Sequence, residues 1–314
     1  MNSKISIIIP VYNRADLLPE TLDSILAQTY TNWQCILIDD HSTDTSTEVL
    51  QAYHKKDARF YWEPRPENRP KGANACRNYG LEISKGEYIQ WFDSDDLMLP
   101  DFLQQKYQAF TSESDFVVSK CINFYPDGSK EEIIKYNNNA TQTLNFENFL
   151  KEKVYWMTPD LLIRKKAIHT IRFDEKIQSG QEYNFFLNLL AKRSINGLFI
   201  NKELTLRRMH DSSVQNKLKK DLTKALYSRY VTQSTTLLQV KNTITKPQKV
   251  YFLNQLIPLI YQLKLRSKEL PHLQEIKALL LQEKGFVKTL SFTLASFLAK
   301  KYKKGYKLMN YARS

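Results

Sequence analysis

The sequence predicts an α/β fold, with a mostly parallel central sheet flanked by helices and then a basic, mainly helical C-terminal region. Three observations carry this. Short apolar runs alternate with helix-spaced segments from Lys4 to Phe92. Each apolar run ends in polar or acidic residues, and the carboxyl ends of parallel strands are where such folds bind ligands. Charge is also split along the chain. Residues 215–314 hold 20 lysines and arginines against 4 aspartates and glutamates, a balance of +16. Residues 1–214 hold 26 against 29, a balance of −3. The expected domains are therefore 1–214 and 215–314.

The elements follow in order. Lys4 to Ile9 reads as a buried strand that Pro10 ends. Ala15 to Thr29 sets Leu17, Leu18, Leu22, Ile25 and Leu26 at helical spacing. Cys35 to Ile38 is a second buried strand that runs into Asp39 and Asp40, and Ser42 or Thr43 caps the helix beyond. Phe60 to Trp62 is a third strand, followed by the Pro- and charge-rich loop 63–72. Ala73 to Ser84 is helical, and Gly86 turns the chain into the strand Tyr88 to Phe92. Strand–helix alternation of this kind makes a largely parallel sheet. Beyond residue 97 the pattern loosens, with a helix at Pro100 to Phe110 and a strand at Asp115 to Phe124. Further strands are expected at Leu161 to Ile163 and Leu204 to Arg208, with a helix at Glu182 to Leu190. Residues 217–304 read as several helices broken near Pro247, Pro258, Pro271 and Gly285.

Composition excludes several classes. Hydrophobic residues make up 42% of the 314, enough for a sizeable core and too many for a disordered chain. Three widely spaced cysteines, Cys35, Cys76 and Cys121, form neither a disulfide scaffold nor a zinc motif. Met1 to Pro10 lacks the basic start and apolar core of a signal peptide. Phe286 to Ala299 contains Lys288 and is too short to span a bilayer. The expected compartment is the reducing cytoplasm.

The densest chemistry is Trp91-Phe92-Asp93-Ser94-Asp95-Asp96. Asp93 and Asp95 point the same way from a strand end and repel unless a cation joins them. Mg²⁺ and Mn²⁺ suit such oxygen ligands and commonly keep substrate phosphates as partners. The same residues also suit a solvated turn with a helix cap. Asp39-Asp40 offers acceptors to a base or ribose, or caps a helix. Pro10-Val11-Tyr12-Asn13 closes the first strand, and Tyr12 either flanks a base or packs a turn. Arg77 follows small residues that let its helix approach neighbouring backbone, and it suits a phosphate or an acidic partner. Cys76 reads as a small buried hydrophobe. Glu182, at a helix start where the dipole steadies an anion, is the candidate general base, with helix capping as its other reading. His210 offers a nitrogen to a metal or diphosphate, or sits on the surface. Trp156 and Gln181 are candidate acceptor contacts, and Trp156 suits a buried site equally.

Taken together, SIIIPVYNR at 6–14, LDSILAQTY at 22–30, LIDDHSTD at 37–44, GANACRNYGLEISKGEYIQWFDSDD at 72–96, GQEYNFFLNL at 180–189 and RRMH at 207–210 resemble the family-2 inverting glycosyltransferases. The resemblance implies the GT-A fold, with its Rossmann-like sheet, and a nucleotide-diphosphate-sugar donor, UDP-linked. It implies that Pro10, Val11, Tyr12 and Asn13 line the nucleotide, with Asp40 at the base, Asp39 nearby and Arg77 on the base or phosphate side. Asp93 would lie near the ribose, and Ser94 would be among the residues that bind the nucleotide sugar. Asp95 would be the chief ligand of Mn²⁺ or Mg²⁺, with His210 near metal and diphosphate, and Glu182 would deprotonate the acceptor hydroxyl. Two departures stand out: His41 where Gly is frequent, and Gln181-Glu182 where Glu-Asp is usual.

The tail lies outside this resemblance. Phe286, Leu290, Phe297 and Leu298 precede Lys300, Lys301, Lys303, Lys304 and Lys307, a pattern for peripheral attachment to an anionic membrane surface. That position, at the inner face of the cell membrane, would suit a glycan or lipid-linked acceptor. Nucleic acid is disfavoured because the basic charge lies in the tail and no paired stacking motif accompanies it. A non-catalytic sugar-nucleotide or membrane-interaction scaffold would carry the same segments. A nucleotidyltransferase would use similar carboxylates, but no Gly-rich, Lys-bearing loop follows Ile9.

Overall fold

The computed structural model describes residues 3–209, 221–266 and 268–314. The chain divides into two compact units, Met1–Lys176 with Arg193–His210, and Ile177–Lys192 with Asp211–Ser314.

The first unit is built on one sheet. Its elements in chain order are β1 (Ile5–Val11), α1 (Leu18–Leu26), β2 (Trp33–Asp39), α2 (Ser46–Lys56), β3 (Phe60–Pro64), α3 (Ala73–Ile83), β4 (Tyr88–Trp91), β5 (Leu97–Met98), α4 (Phe102–Gln108), β6 (Phe116–Phe124), β7 (Lys130–Glu132), α5 (Phe146–Leu150), β8 (Leu161–Arg164), α6 (Lys165–Ile168) and β9 (Gly197–Arg208). Among the described residues nine strands join in the order β3-β2-β1-β4-β8-β6-β9-β5, with β7 on β6. The β3-β2-β1-β4 half is parallel throughout. β8 then enters antiparallel to both β4 and β6, so the sheet as a whole is mixed. Pro10 does not end β1. Pairing with β4 stops at Ile8, and Pro10 and Val11 continue on the β2 side alone, where proline is tolerated.

Period-two alternation assigns the two faces of this half-sheet. Ile5, Ile7, Ile9 and Val11 join Cys35 and Leu37 in a core with Leu18, Leu22 and Ile25 of α1. Ile36 and Ile38 face the other way and meet Cys76 of α3. Gly80 makes that second contact possible, because a Cβ there would run into Ile8 Cγ2. Burial pushes the Cys76 thiol up to about 12, as expected of a packed hydrophobe.

The second unit is helical. It comprises α7 (Gln181–Lys192), α8 (Leu222–Val240), α9 (Lys246–Leu265), α10 (Leu273–Tyr302) and α11 (Tyr306–Arg313). α7, which sequence spacing places with the sheet, is grouped here with the C-terminal helices. Asp221 caps α8 by accepting from the Lys224 N–H at 3.0 Å. Pro247 opens α9 behind a Thr245–Gln248 capping box. Pro258 does not break this helix as the sequence suggests, because Ile257, Leu259 and Ile260 around it are buried and packing offsets the lost hydrogen bond. Gly285, at φ 82°, instead puts a kink inside α10. No described helix is long and apolar enough to cross a membrane.

Candidate functional site

The carboxyl ends of β1, β2 and β4 bring most of the sequence-derived candidates into one set of loops. Asn13, held at φ 50°, is the link between the first two. Its backbone N–H donates to Ser42 Oγ at 3.0 Å, its amide donates to Thr43 Oγ1 at 3.2 Å, and its Oδ1 accepts from the Thr43 N–H at 2.8 Å. The Arg14 N–H donates to Ser46 Oγ at 2.8 Å. Ser42 and Thr43 therefore tie the β1 loop to the β2 loop instead of capping α2. Pro10 and Val11 are buried, so a nucleotide would meet their backbone, of which the Val11 carbonyl already accepts from the Asp40 N–H at 2.8 Å. Tyr12 is 40% exposed, and the Lys71 ammonium lies 3.8 Å from its ring centre.

The two β2 aspartates have different surroundings. Both Asp39 carboxylate oxygens accept from the Ser42 N–H at 3.2 Å, which makes Asp39 the brace of the turn. Asp40 is buried against Arg65, whose Nε donates to Oδ1 at 2.5 Å. Arg65 is itself fixed, donating to the carbonyls of Pro66 at 3.1 Å and Arg69 at 2.5 Å. His41, at φ 58°, occupies a backbone conformation that glycine adopts without strain. Its Nε2 donates to the Arg65 carbonyl at 3.0 Å, so the histidine joins the same cluster.

At the end of β4, three carboxylates each have a distinct basic or backbone partner. Asp93 accepts from Arg77 Nη2 at 2.7 Å, and Arg77 also lies over the Phe173 ring at 5.5 Å. The Arg77 Nε is buried with no hydrogen-bond partner among the described residues. Asp95 faces Arg14 Nε at 3.3 Å. Asp96 accepts from the Arg208 N–H at 2.9 Å, while Arg208 Nε donates to the Asp95 carbonyl at 3.0 Å and Nη2 to Glu20 at 2.5 Å. Burial pushes the Asp96 carboxyl well above the usual carboxylate range, and the Asp93 and Asp95 charges push the same way. Ser94 is buried, and its carbonyl accepts from Thr21 Oγ1 at 3.2 Å. Tyr12 is exposed and Asp93 and Asp95 are half-buried, whereas Asp39 and Asp40 are buried, on a frame braced by Arg14, Arg65, Arg77 and Arg208.

The chemistry of this donor set suits a hard cation, since carboxylate oxygens prefer Mg²⁺ or Mn²⁺. It is incomplete alone: among the described residues no three His, Cys, Asp or Glu side chains group as metal ligands. His210, the expected nitrogen ligand, lies outside the described residues.

The remaining candidates lie elsewhere. Glu182 and Gln181 begin α7 in the helical unit. Asn184 anchors this helix by donating to Thr236 Oγ1 at 2.9 Å and Gln239 Oε1 at 2.8 Å, and Asn188 donates to the same Gln239 oxygen at 2.8 Å. Trp156 is not an open sugar platform. It is 2% exposed and packs on Phe116 and Phe149 at ring distances of 5.9 and 4.4 Å. Arg14, Arg65, Lys71 and Arg208 are site residues that sequence reasoning passed over. Arg14 lay inside the segment 6–14, but a lone arginine carries no spacing signal.

Several known proteins are similar to this chain in sequence or in fold. An uncharacterized glycosyltransferase of Rickettsia conorii is 32% identical over 205 residues, covering 65% of this chain and 32% of that protein. This chain therefore corresponds to about a third of that relative's length. Glycosyltransferase GlyG of Streptococcus pneumoniae serotype 4 is 28% identical over 228 residues, covering 68% of this chain and 73% of that one. The crystal structure of S. aureus TarS 1–349 with UDP-GlcNAc matches with a TM-score of 0.67 at 15% identity, over 95% of this chain and 89% of that one. At that identity the likeness is one of fold. The sequence profile of glycosyl transferase family 2 matches residues 6–171, more than half of the chain. The chain belongs to glycosyl transferase family 2 and has the GT-A fold.

Proposed function

We propose that this protein is a metal-dependent inverting glycosyltransferase. It moves a sugar from a nucleotide-diphosphate donor, UDP-linked, to a hydroxyl of a glycan or lipid-linked acceptor at the inner face of the cell membrane. The observation that carries this reading is the convergence of Tyr12, the Asp40–Arg65 pair and the Asp93–Arg77 pair at three adjacent strand ends. Tyr12 offers its ring to the base, and Asp40, aimed by Arg65, offers an acceptor to a base N–H. Asp93 offers an acceptor to the ribose hydroxyls, with Arg77 holding its carboxylate in place.

Asp95, with His210, would hold Mn²⁺ or Mg²⁺, and the ion would supply positive charge to stabilise the negative charge developing on the departing diphosphate. Glu182 takes the proton from the acceptor hydroxyl as its oxygen attacks the anomeric carbon. The carbon–oxygen bond to the diphosphate breaks as the bond to the acceptor forms on the opposite face. One displacement inverts the centre, so no covalent enzyme intermediate is required.

The test is a screen of UDP-, GDP- and dTDP-sugars with Mn²⁺ or Mg²⁺, read as release of the nucleoside diphosphate. Release from a UDP-sugar alone, abolished by Asp95→Ala, is the expected result. Release of inorganic diphosphate would instead indicate nucleotidyl transfer. Donor binding without consumption across acceptors would favour a non-catalytic scaffold, the reading that the Gln181-Glu182 departure keeps in play.

A further inference from the structure

The kink at Gly285 starts a helical stretch from Phe286 to Tyr302 with two unlike faces. Phe292, Ala295 and Ala299 are buried. Phe286, Val287, Leu290, Leu294 and Phe297 are exposed, the two phenylalanines by 68% and 54%. At 3.6 residues per turn these five fall within an arc of about 100°. They make a continuous apolar stripe with no polar residue on it until Lys301. Leu298, expected in this group, is only half exposed and lies at its margin.

From Lys284 to Ser314 the sequence holds seven lysines and one arginine and no aspartate or glutamate. A second copy of this chain would therefore bring the same charge to the stripe and be repelled. Nucleic acid would suit the charge but would bury no apolar surface against Phe286, Leu290 and Phe297. An anionic bilayer satisfies both requirements. Lys301 lies 5.8 Å from the Phe297 ring and 5.2 Å from the Tyr302 ring, a placement from which its ammonium reaches headgroups while the rings enter the interface. Tyr302 and Tyr306, both exposed, extend the stripe with the amphipathic residues that favour that depth.

We infer that the Phe286–Phe297 stripe is a membrane-docking surface that lies flat in the headgroup region of an anionic bilayer, with the lysines from 300 to 307 setting the preference for negative lipid. The inference deepens the proposed function by naming the surface that brings the enzyme to a lipid-linked acceptor. It rests on that reading only for its purpose, because docking needs neither donor nor acceptor.

The test is flotation of the full chain with vesicles of phosphatidylcholine alone or mixed with phosphatidylglycerol, at about 0.1 M salt. The wild type is expected to float with the mixed vesicles at least about ten-fold better than with neutral ones. The triple variant Phe286→Ser/Leu290→Ser/Phe297→Ser should lose about ten-fold or more of that binding while keeping its thermal transition and nucleotide affinity. Lys300→Glu/Lys301→Glu/Lys304→Glu should abolish the preference between vesicle types. Equal flotation with both vesicles, no flotation, or full flotation of the serine variant would overturn the inference. So would a serine variant that dissociates a dimer without changing vesicle binding. Intact donor hydrolysis alongside failed flotation would discard the docking surface and leave the proposed function standing.

Discussion

The strand ends of the sheet unit and the underside of α7 in the helical unit handle polarity in opposite ways. Around the strand ends of the first, charge is paired and drawn inward: Asp40 with Arg65, Asp93 with Arg77, Asp95 with Arg14. Under α7 in the second, the buried polar groups are neutral, with Asn184 and Asn188 bonded to Thr236 and Gln239. Its cationic surplus is carried by segments such as 300–307, where the lysines are exposed. The difference separates two uses of charge. A buried ion pair is costly to desolvate and gives little net stability, but it fixes an atom's position. An exposed field of one sign fixes nothing locally and acts at the range of the Debye length. The first suits recognition of one ligand, and the second suits a surface.

Substitutions can break or sharpen this contrast. The largest expected effect is at Arg65. Arg65→Leu leaves the buried Asp40 carboxylate unpaired and should cost about 3–5 kcal/mol in denaturant unfolding, along with most of the nucleotide affinity. Trp156→Ala should cost a similar amount, about 3–5 kcal/mol, through a cavity between Phe116 and Phe149. Conservative Trp156→Phe should leave acceptor KM unchanged, whereas a raised KM would return Trp156 to the acceptor site. In the helical unit, Asn184→Ala removes neutral bonds only and should cost about 1–3 kcal/mol, with donor binding intact. A cost equal to that of Arg65→Leu would erase the distinction drawn between the strand ends and the residues under α7. The smallest effect is at Lys71. Lys71→Ala removes an exposed cation–π contact and should change stability by about 0.5–1 kcal/mol, read as a shift in the unfolding midpoint.

The parallel half of the sheet was legible because its strands are mostly apolar runs that lead into polar or acidic residues, as in Ile5–Val11 and Trp33–Asp39. β9 was read only from Leu204, since its first part, Gly197 to Glu203, is half-exposed and mixes polar with apolar residues. The acids of the site were visible as clusters. Arg77 was visible as a partner for an acid, but Arg65 was not, because it sits in a Pro-rich loop that resembles a solvated turn and becomes buried only through long-range folding. Trp156 shows the converse: an aromatic in a polar stretch looks available until the Phe116 and Phe149 rings close over it. The grouping of α7 with α8 was likewise hidden, because Asn184 and Asn188 look like surface residues on a helix whose partner lies some fifty positions away.

The central claim is that the strand-end acids of the sheet unit form a nucleoside-diphosphate site completed by a divalent ion. Calorimetric titration of UDP into the full chain, with and without Mn²⁺, tests it most directly, with Asp95→Ala and Glu182→Gln run in parallel. The account predicts binding that Mn²⁺ strengthens by about ten-fold or more, through charge neutralisation at the diphosphate. That gain should disappear in Asp95→Ala and persist in Glu182→Gln, whose loss belongs to acceptor activation. UDP affinity that is indifferent to both Mn²⁺ and Asp95, or lost in Glu182→Gln as fully as in Asp95→Ala, would contradict it.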